Sequence, residues 1–254
     1  MRSVSPAVLI LAGTRPGGDP FAEEAGVAHK ALIELESSTL LERVIAAVKG
    51  AGLSRVFVSC DEGPVADVAR AAGAKILPAH QGPSASVAAA FEQLGAPMLV
   101  TTSDHALLQS KWVVDFIEDI PSDADVAIML AHRSLIEDAI PGAKRTYLRF
   151  ADGDWSGCNL FLLATPEASH AIATWSMVEA YRKTPWKIAA RLGVGTLISM
   201  ALRRLTMAQG IERLGRKIGI EARLVPARDG LAAFDVDKMA DLAAIRELVQ
   251  RQSG

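Results

Sequence analysis

Short apolar runs alternate with longer amphipathic segments along the first half of the chain. Apolar runs of the kind that form strands buried on both faces occur at 8–11, 55–59, 75–77 and 98–102. Apolar residues at helical spacing, one series opened by the capping box of Thr39 and Glu42, predict helices at 40–48, 64–72 and 87–94. This alternation predicts parallel βαβ units, whose loops after each strand meet at one edge of the sheet.

The second half of the chain follows a less regular order. The pattern predicts further strands at 125–131, 145–150, 159–163 and 222–225, and helices at 166–181 and 239–250. Between them, residues 182–220 form a predicted block of short helices that interrupts the α/β alternation. We therefore predict a single domain spanning 1–254, with a helical insertion at 182–220.

Composition narrows the class of protein. The chain has 254 residues, 50% of them hydrophobic, which suits one α/β domain of the larger kind. Two cysteines provide neither a disulfide framework nor a zinc site, so we predict a cytoplasmic location. The net charge of −2 excludes a strongly basic nucleic-acid binder. No apolar run reaches the ~20 residues of a membrane span, and the short N-terminal run is interpreted as a strand, not as a signal peptide.

A glycine-rich loop follows the first predicted strand. It contains Gly13, Gly17 and Gly18, carries Arg15, and leads to Lys30. Glycines let backbone N–H groups approach a ligand, and the two cations supply the charge that a triphosphate requires. The loop fits neither the GxxxxGK[ST] nor the GxGxxG pattern, so an ordinary surface loop is the alternative interpretation.

Two acidic positions stand directly after apolar runs. Asp104 follows the run at 98–102, and Asp235 and Asp237 lie in the short segment 234–237. Mg²⁺ typically takes one or two protein carboxylates together with phosphate oxygens and water. Helix N-caps are the alternative interpretation of both positions. With the glycine-rich loop, these acids predict a site for a nucleoside triphosphate and a metal ion.

Five motifs in order resemble the MobA-like nucleotidyltransferases. They are LAGTRPGGDP…HKAL, HQGPSASV, VTTSDHALL, SGCNLFLL and FDVDKMADL, and they cover most of the chain except 182–220. The resemblance implies a GT-A-like α/β fold, with a mostly parallel sheet flanked by helices. It also implies transfer of NMP from an NTP with release of pyrophosphate.

The same resemblance assigns roles to individual residues. It implies that Lys30 contacts the triphosphate, with Arg15 beside the pyrophosphate, and that Asp104 and Asp237 hold Mg²⁺, with Asp235 as the alternative to Asp237. The residues expected to line the substrates are Ala12, Gly13 and Thr14 for the nucleotide, Gly82 and Ser86 for its base or ribose, and Gly157 and Asn159 for the second substrate.

The chain departs from the family pattern in the first loop. Thr14 stands where the LAGGxGxR form of the loop has its second glycine, and Arg15 precedes Gly17. The position of Arg15 relative to the family's arginine is therefore open, and the resemblance gives Asp19 no role.

These features predict a Mg²⁺-dependent enzyme that transfers NMP from CTP or GTP to a phosphorylated small-molecule or lipid-like acceptor. One rival is a GT-A glycosyltransferase, which usually carries a DxD motif at its metal site, whereas Ala106 occupies the third position here. A non-catalytic nucleotide-binding module is the other rival, and it would be favoured if either acidic position were missing.

The segment 182–217 is strongly basic. It holds nine lysine and arginine residues against the single acid Glu212, and Lys183, Lys187 and Arg191 recur every four residues. One interpretation is a helical cap whose charges are merely solvated. The other is a basic wall over the acceptor site, which could also hold the protein peripherally at an anionic membrane surface.

Overall fold

The computed structural model describes residues 4–14, 17–143, 145–181 and 203–253. Arg15 and the basic series Lys183, Lys187 and Arg191 lie outside these ranges, so the predictions made for them remain predictions. In the described ranges, no helix combines the length and the apolar character that crossing a membrane would need.

Ten strands are described, and eight of them form one sheet. In chain order they are β1 Ala7–Leu11, β2 Glu34–Leu35, β3 Ser38–Thr39, β4 Val56–Ser59, β5 Lys75–Leu77, β6 Met98–Thr102, β7 Val126–His132, β8 Leu148–Phe150, β9 Gly153–Leu163 and β10 Ala222–Pro226. The order across the large sheet is β5-β4-β1-β6-β9-β7-β10, with β8 paired to β9, while β2 and β3 form a separate pair.

The large sheet is mostly parallel, as predicted. β1 pairs in parallel with β4 and β6, β4 with β5, and β7 with β10. β9 runs antiparallel to both β6 and β7, and β8 runs antiparallel to β9. Because β1, β4, β5 and β6 share one direction, the loops that follow them meet at one edge of the sheet, here called the carboxyl edge.

Nine helices are described in these ranges. They are α1 Pro20–Glu24, α2 Leu40–Gly50, α3 Pro64–Ala71, α4 Pro83–Leu94, α5 Ser110–Asp119, α6 Arg133–Ala139, α7 Ser169–Ala180, α8 Met207–Lys217 and α9 Met239–Ser253. The predicted capping box at the start of α2 is present, because Thr39 and Glu42 exchange side-chain to backbone hydrogen bonds. α8 is the described helix of the segment 182–220, and it exposes Arg213, Arg216 and Lys217.

The core lies on both faces of the sheet. Val8 and Ile10 of β1 pack with α2, α5 and α9 on one face, and Leu9 packs with α4 and α7 on the other. All three side chains are completely buried, which is the environment that the continuous apolar run predicted.

Three predicted boundaries are wrong, and one of them is the start of β8, which is Leu148 and not Arg145. α4 begins at Pro83, four residues before the predicted start at Val87, because Pro83 occupies the first helical turn, where a missing N–H costs nothing. β9 begins at Gly153, not at Asn159, because its polar first half pairs with β8 and with the end of β7. The segment 234–237 belongs to no strand.

Candidate active site

The loop after β1 is anchored at the carboxyl edge. Ala12 is buried, and its N–H donates to the carbonyl of Ser59 at the end of β4 (2.9 Å). Gly13 and Thr14 are exposed, so their backbone is available to a ligand. Asp19, which had no predicted role, caps α1 by accepting a hydrogen bond from the N–H of Phe21 (3.1 Å).

Lys30 joins two of the predicted metal ligands. Its Nζ lies 2.5 Å from Oδ2 of Asp104 and 3.0 Å from Oδ1 of Asp237, although 74 and 207 residues separate these partners from it. The side chain of Asp104 is 9% exposed and that of Asp237 is 56% exposed. One ammonium group therefore brings a buried and an accessible carboxylate together.

Backbone hydrogen bonds fix Asp104 at this position. The N–H of Ser103 donates to the carbonyl of Leu11 on β1 (3.0 Å), and the N–H of Val236 donates to the carbonyl of Asp104 itself (3.0 Å). Val236 is completely buried, so the acids on either side of it are held next to the end of β6. The pairing of 234–237 with the loop after β6 is what connects the two distant acidic motifs.

Charge pairing outweighs burial in this cluster. Burial alone would raise the pKa of Asp104, but the ammonium of Lys30 holds the pKa of that carboxyl below its usual range. Burial disfavours the charged form of Lys30 as well, and the two carboxylates overcome it, so the pKa of Lys30 is raised. Both groups are therefore charged at neutral pH. His105 beside them is fully buried, which lowers its pKa to about 4 and leaves the imidazole neutral.

Asp235 is engaged in a different cluster. Its carboxylate accepts hydrogen bonds from the guanidinium of Arg145 and from Nδ2 of Asn159, the latter at 3.0 Å. The guanidinium also lies over the ring of Phe234, 5.4 Å from its centroid. Burial raises the pKa of Asp235, and the attraction of Arg145 offsets this only in part.

Sequence reasoning missed Arg145. It lies in the loop before β8, 90 residues from Asp235, and no motif marks it. Asn159, which was predicted on the acceptor side, adopts a left-handed backbone conformation with φ of 48° and points its amide at the same carboxylate. Gly157, two residues earlier on β9, is exposed.

The loop between β5 and α4 lies directly against the first loop. A Cβ placed on Gly13 would stand 3.3 Å from the Cβ of Ala79. Ser86 is buried, and its hydroxyl accepts a hydrogen bond from the N–H of His80 (3.0 Å), which closes this loop on itself. Gly82 has a φ of 91° and forms the N-cap of α4.

Asp104 and Asp237 fit one kind of metal site. Oδ1 of Asp104 is buried and has no hydrogen-bond donor among the described residues. The described parts of the chain contain no group of three or more histidine, cysteine or acidic side chains spaced to hold a metal ion. Two carboxylates fit Mg²⁺ that completes its coordination with phosphate oxygens and water, rather than a metal ion held by protein ligands alone.

Comparison with known proteins gives a family and a fold. A model of the MobA-like NTP transferase domain matches residues 8–192. A hypothetical transferase from Thermus thermophilus is 29% identical, with a TM-score of 0.81 over 94% of this chain and 100% of that one. No curated protein matches the sequence.

Two structures with lower identity share the fold. A CMP:2-keto-3-deoxy-manno-octonic acid synthetase complexed with CTP is 16% identical, with a TM-score of 0.59 over 98% of this chain and 100% of that one. A 2-C-methyl-D-erythritol 4-phosphate cytidylyltransferase from Thermus thermophilus is 18% identical, with a TM-score of 0.52 over 97% of this chain and 100% of that one.

Proposed function

This chain belongs to the MobA-like NTP transferase family and is a nucleotidyltransferase, and from that premise we propose its reaction. We propose that it transfers NMP from CTP or GTP to a phosphorylated small-molecule or lipid-like acceptor, with release of pyrophosphate and with Mg²⁺ as cofactor. The observation that carries the proposal is Lys30 bonded to both Asp104 and Asp237 at the carboxyl edge. A lysine, two carboxylates and an open glycine loop are what a triphosphate and its metal ion require.

In the proposed reaction, an oxygen of the acceptor phosphate attacks the α-phosphorus. A new P–O bond forms on one side while the bond to the β-phosphate oxygen breaks on the other, so pyrophosphate leaves in line. Mg²⁺, held by Asp104 and Asp237, would supply Lewis-acid stabilisation of charge on the phosphates. Lys30 would neutralise the leaving pyrophosphate, and Arg15 is proposed to act with it.

The mechanism needs no general base. A phosphate monoester is already ionised at neutral pH, so its attacking oxygen carries no proton that must be removed. The buried, neutral His105 is consistent with this, because it is 1% exposed and cannot contact an acceptor in the cleft. Positioning and charge neutralisation would therefore supply most of the rate enhancement.

The acceptor is proposed to bind beside Arg145, Gly157 and Asn159. Arg145 is paired with Asp235 and would order this side of the site, where Asn159 contacts the same carboxylate. Gly157 leaves β9 open at this point because it has no side chain.

The test is a pyrophosphate-release assay with each of the four NTPs, with and without Mg²⁺, across a panel of phosphorylated acceptors. We expect release only when an NTP, Mg²⁺ and an acceptor are present together, and CTP is assayed first because the fold is shared with a synthetase complexed with CTP. Turnover with a nucleotide-sugar and none with any NTP would overturn the proposal in favour of a glycosyltransferase. Nucleotide binding without turnover of any acceptor would favour a binding module.

We also propose a cytoplasmic protein that contacts the membrane peripherally through 182–217. Arg213, Arg216 and Lys217 are exposed on α8, at the end of this segment. Basic residues near an anionic leaflet are each worth about 1 kcal/mol. Flotation with anionic and neutral vesicles at low and high salt tests it. Equal recovery with both vesicle types would leave these charges merely solvated.

A further inference from the structure

Glu179, in the last turn of α7, lies over the loop that begins α4. Its Oε2 accepts a hydrogen bond from the N–H of Ser84 (3.2 Å). A Cβ built on Gly82 would clash with its Oε1, so the carboxylate occupies the space that a side chain at position 82 would need. Neither the family motifs nor the proposed reaction assigns Glu179 a role.

The contacts place this carboxylate beside the candidate nucleotide site. Gly82 belongs to the same loop as Ala79, which lies against Gly13. The first loop, which includes Gly13, leads along the chain to Lys30 and its two carboxylates. A ligand that lies along Gly13 and contacts both Lys30 and the neighbouring loop at Gly82 would therefore have Glu179 beside it.

Charge decides which end of a nucleotide can face Glu179. The triphosphate carries several negative charges, and a second carboxylate beside it would repel them. Lys30 is the cation of the described loop and suits the phosphates. The base and the ribose are the neutral parts of the ligand, and either can lie against a carboxylate without that repulsion; of the two, only the base differs between the four nucleotides.

We propose that Glu179 is a specificity-determining residue that accepts a hydrogen bond from the exocyclic amino group of the base. The inference rests on the proposed function and narrows its substrate. Guanine offers its N1–H and its amino group side by side to a carboxylate, and cytosine offers its amino group.

The bases that lack this amino group are the ones that Glu179 would reject. Uracil presents a carbonyl oxygen where cytosine carries the amino group, and a carboxylate repels that oxygen. Hypoxanthine carries only a hydrogen atom where guanine carries its amino group, so the carboxylate loses one of its two hydrogen bonds. The protein should therefore prefer the base with the amino group in each pair, cytosine over uracil and guanine over hypoxanthine.

Ser86, which was predicted to lie near the base or ribose, is less suitable as the acceptor of this hydrogen bond. Ser86 is 5% exposed, and its Oγ already accepts the N–H of His80. Gly82 has no side chain, so it contributes only backbone groups. Glu179 of α7 is thus an acidic side chain that lies directly against this loop.

The experiment compares bases that differ in one amino group. Wild-type protein, Glu179→Gln and Glu179→Ala are titrated calorimetrically with GTP against ITP and with CTP against UTP, and turnover is measured for the same pairs. Glu167→Gln is the matched control, because Glu167 is exposed in the turn that precedes the other end of α7. Urea unfolding of each variant reports on the packing of α7 against α4.

We expect the wild type to prefer the amino-bearing base of one pair by about ten- to a hundredfold, as a charged hydrogen bond allows. Glu179→Gln should reduce that ratio to within about threefold while unfolding like the wild type, since its amide oxygen can still accept the N–H of Ser84. Glu167→Gln should keep the wild-type ratio.

Two results would overturn the inference, and only one of them would also overturn the proposed function. Wild-type nucleotide turnover with unchanged base ratios in both Glu179 variants would make Glu179 only a clamp between α7 and α4, and would leave the proposed function intact. Absence of any NTP binding by the wild type would remove the proposed function and this inference together.

Discussion

Two clusters of charge lie side by side at the carboxyl edge and use the same residue types differently. In the first, Lys30 joins Asp104 to Asp237; in the second, Arg145 and Asn159 hold Asp235. The first contains a carboxylate that is 56% exposed, whereas the acid of the second is 15% exposed. The pKa of Asp104 is lowered and that of Asp235 is raised.

The difference in exposure indicates that the Lys30 cluster is accessible to a ligand, whereas the Arg145 cluster is a buried structural support. Asp235 and Asp237 are two residues apart, yet burial decides that one is available to a metal ion and the other is occupied by neighbouring donors. An arginine–carboxylate pair that is almost buried is costly to break, because the remaining partner stays unpaired. We therefore interpret the Lys30 cluster as the catalytic one, and the Arg145 cluster as the element that orders the acceptor side.

The largest expected effect comes from the buried acid of the first cluster. Asp104→Asn should lower NTP turnover about a thousandfold, equivalent to several kcal/mol of transition-state stabilisation, because the amide carries no charge for a metal ion. Pyrophosphate release at saturating Mg²⁺ measures this, and circular dichroism confirms that the fold is kept. Turnover near the wild-type rate would remove Asp104 from the metal site.

The next test sets the two neighbouring acids against each other. Asp237→Asn should lower turnover at least tenfold and leave unfolding unchanged, because its side chain is exposed and its loss leaves Lys30 paired with Asp104. Asp235→Ala should instead lower the free energy of unfolding by about 3 kcal/mol, because the Arg145 guanidinium and the Asn159 amide both lose their acceptor. Urea unfolding and single-turnover kinetics on both variants are sufficient. The opposite pattern would exchange the roles of the two acids.

Removal of the shared cation sharpens the comparison further. Lys30→Ala should weaken binding of an NTP about tenfold more than binding of the corresponding NMP, since its proposed contact is with the leaving phosphates. Lys238→Ala, a neighbouring exposed lysine, is the control and should affect neither. Calorimetric titration decides the matter. Equal losses for the two nucleotides would show that Lys30 supports the base or the fold.

The smallest expected effect is a difference between the two clusters in how the free energy of unfolding depends on pH. The folded pKa of Asp104 is lowered, so its contribution to stability is present above the unfolded value of 3.8 and is lost as pH falls through the folded pKa. The folded pKa of Asp235 is raised, so the fold gains stability as pH falls through that pKa towards 3.8. Urea unfolding from about pH 7 to about pH 3 should show a smaller acid loss in Asp104→Asn and a larger one in Asp235→Asn than in the wild type. If the wild type and both variants show the same dependence of unfolding free energy on pH, the pKa shifts of Asp104 and Asp235 are both contradicted.

The sequence by itself determined the fold class, the family and most element positions. Continuous apolar runs and helical spacing are local patterns, so the predicted runs and helical segments coincide with β1, β6, α2 and α3 to within two residues. The α/β fold with a mostly parallel sheet and the resemblance to MobA-like nucleotidyltransferases are both confirmed. The start of β9 was missed because its polar half is stabilised by neighbouring strands and not by its own pattern.

Only the tertiary structure decided which acidic residues are accessible and which are buried in contact with other side chains. From the sequence, the resemblance favoured Asp237, and Asp235 stayed open as the alternative because nothing local distinguishes two acids separated by one valine. Arg145 and Glu179 reach their partners across 90 and 95 residues, and such pairings depend on how helices and loops converge over the sheet. Burial and long-range charge pairing are properties of the folded chain, and they set which carboxylate is open, which is engaged, and which lies beside the nucleotide loop.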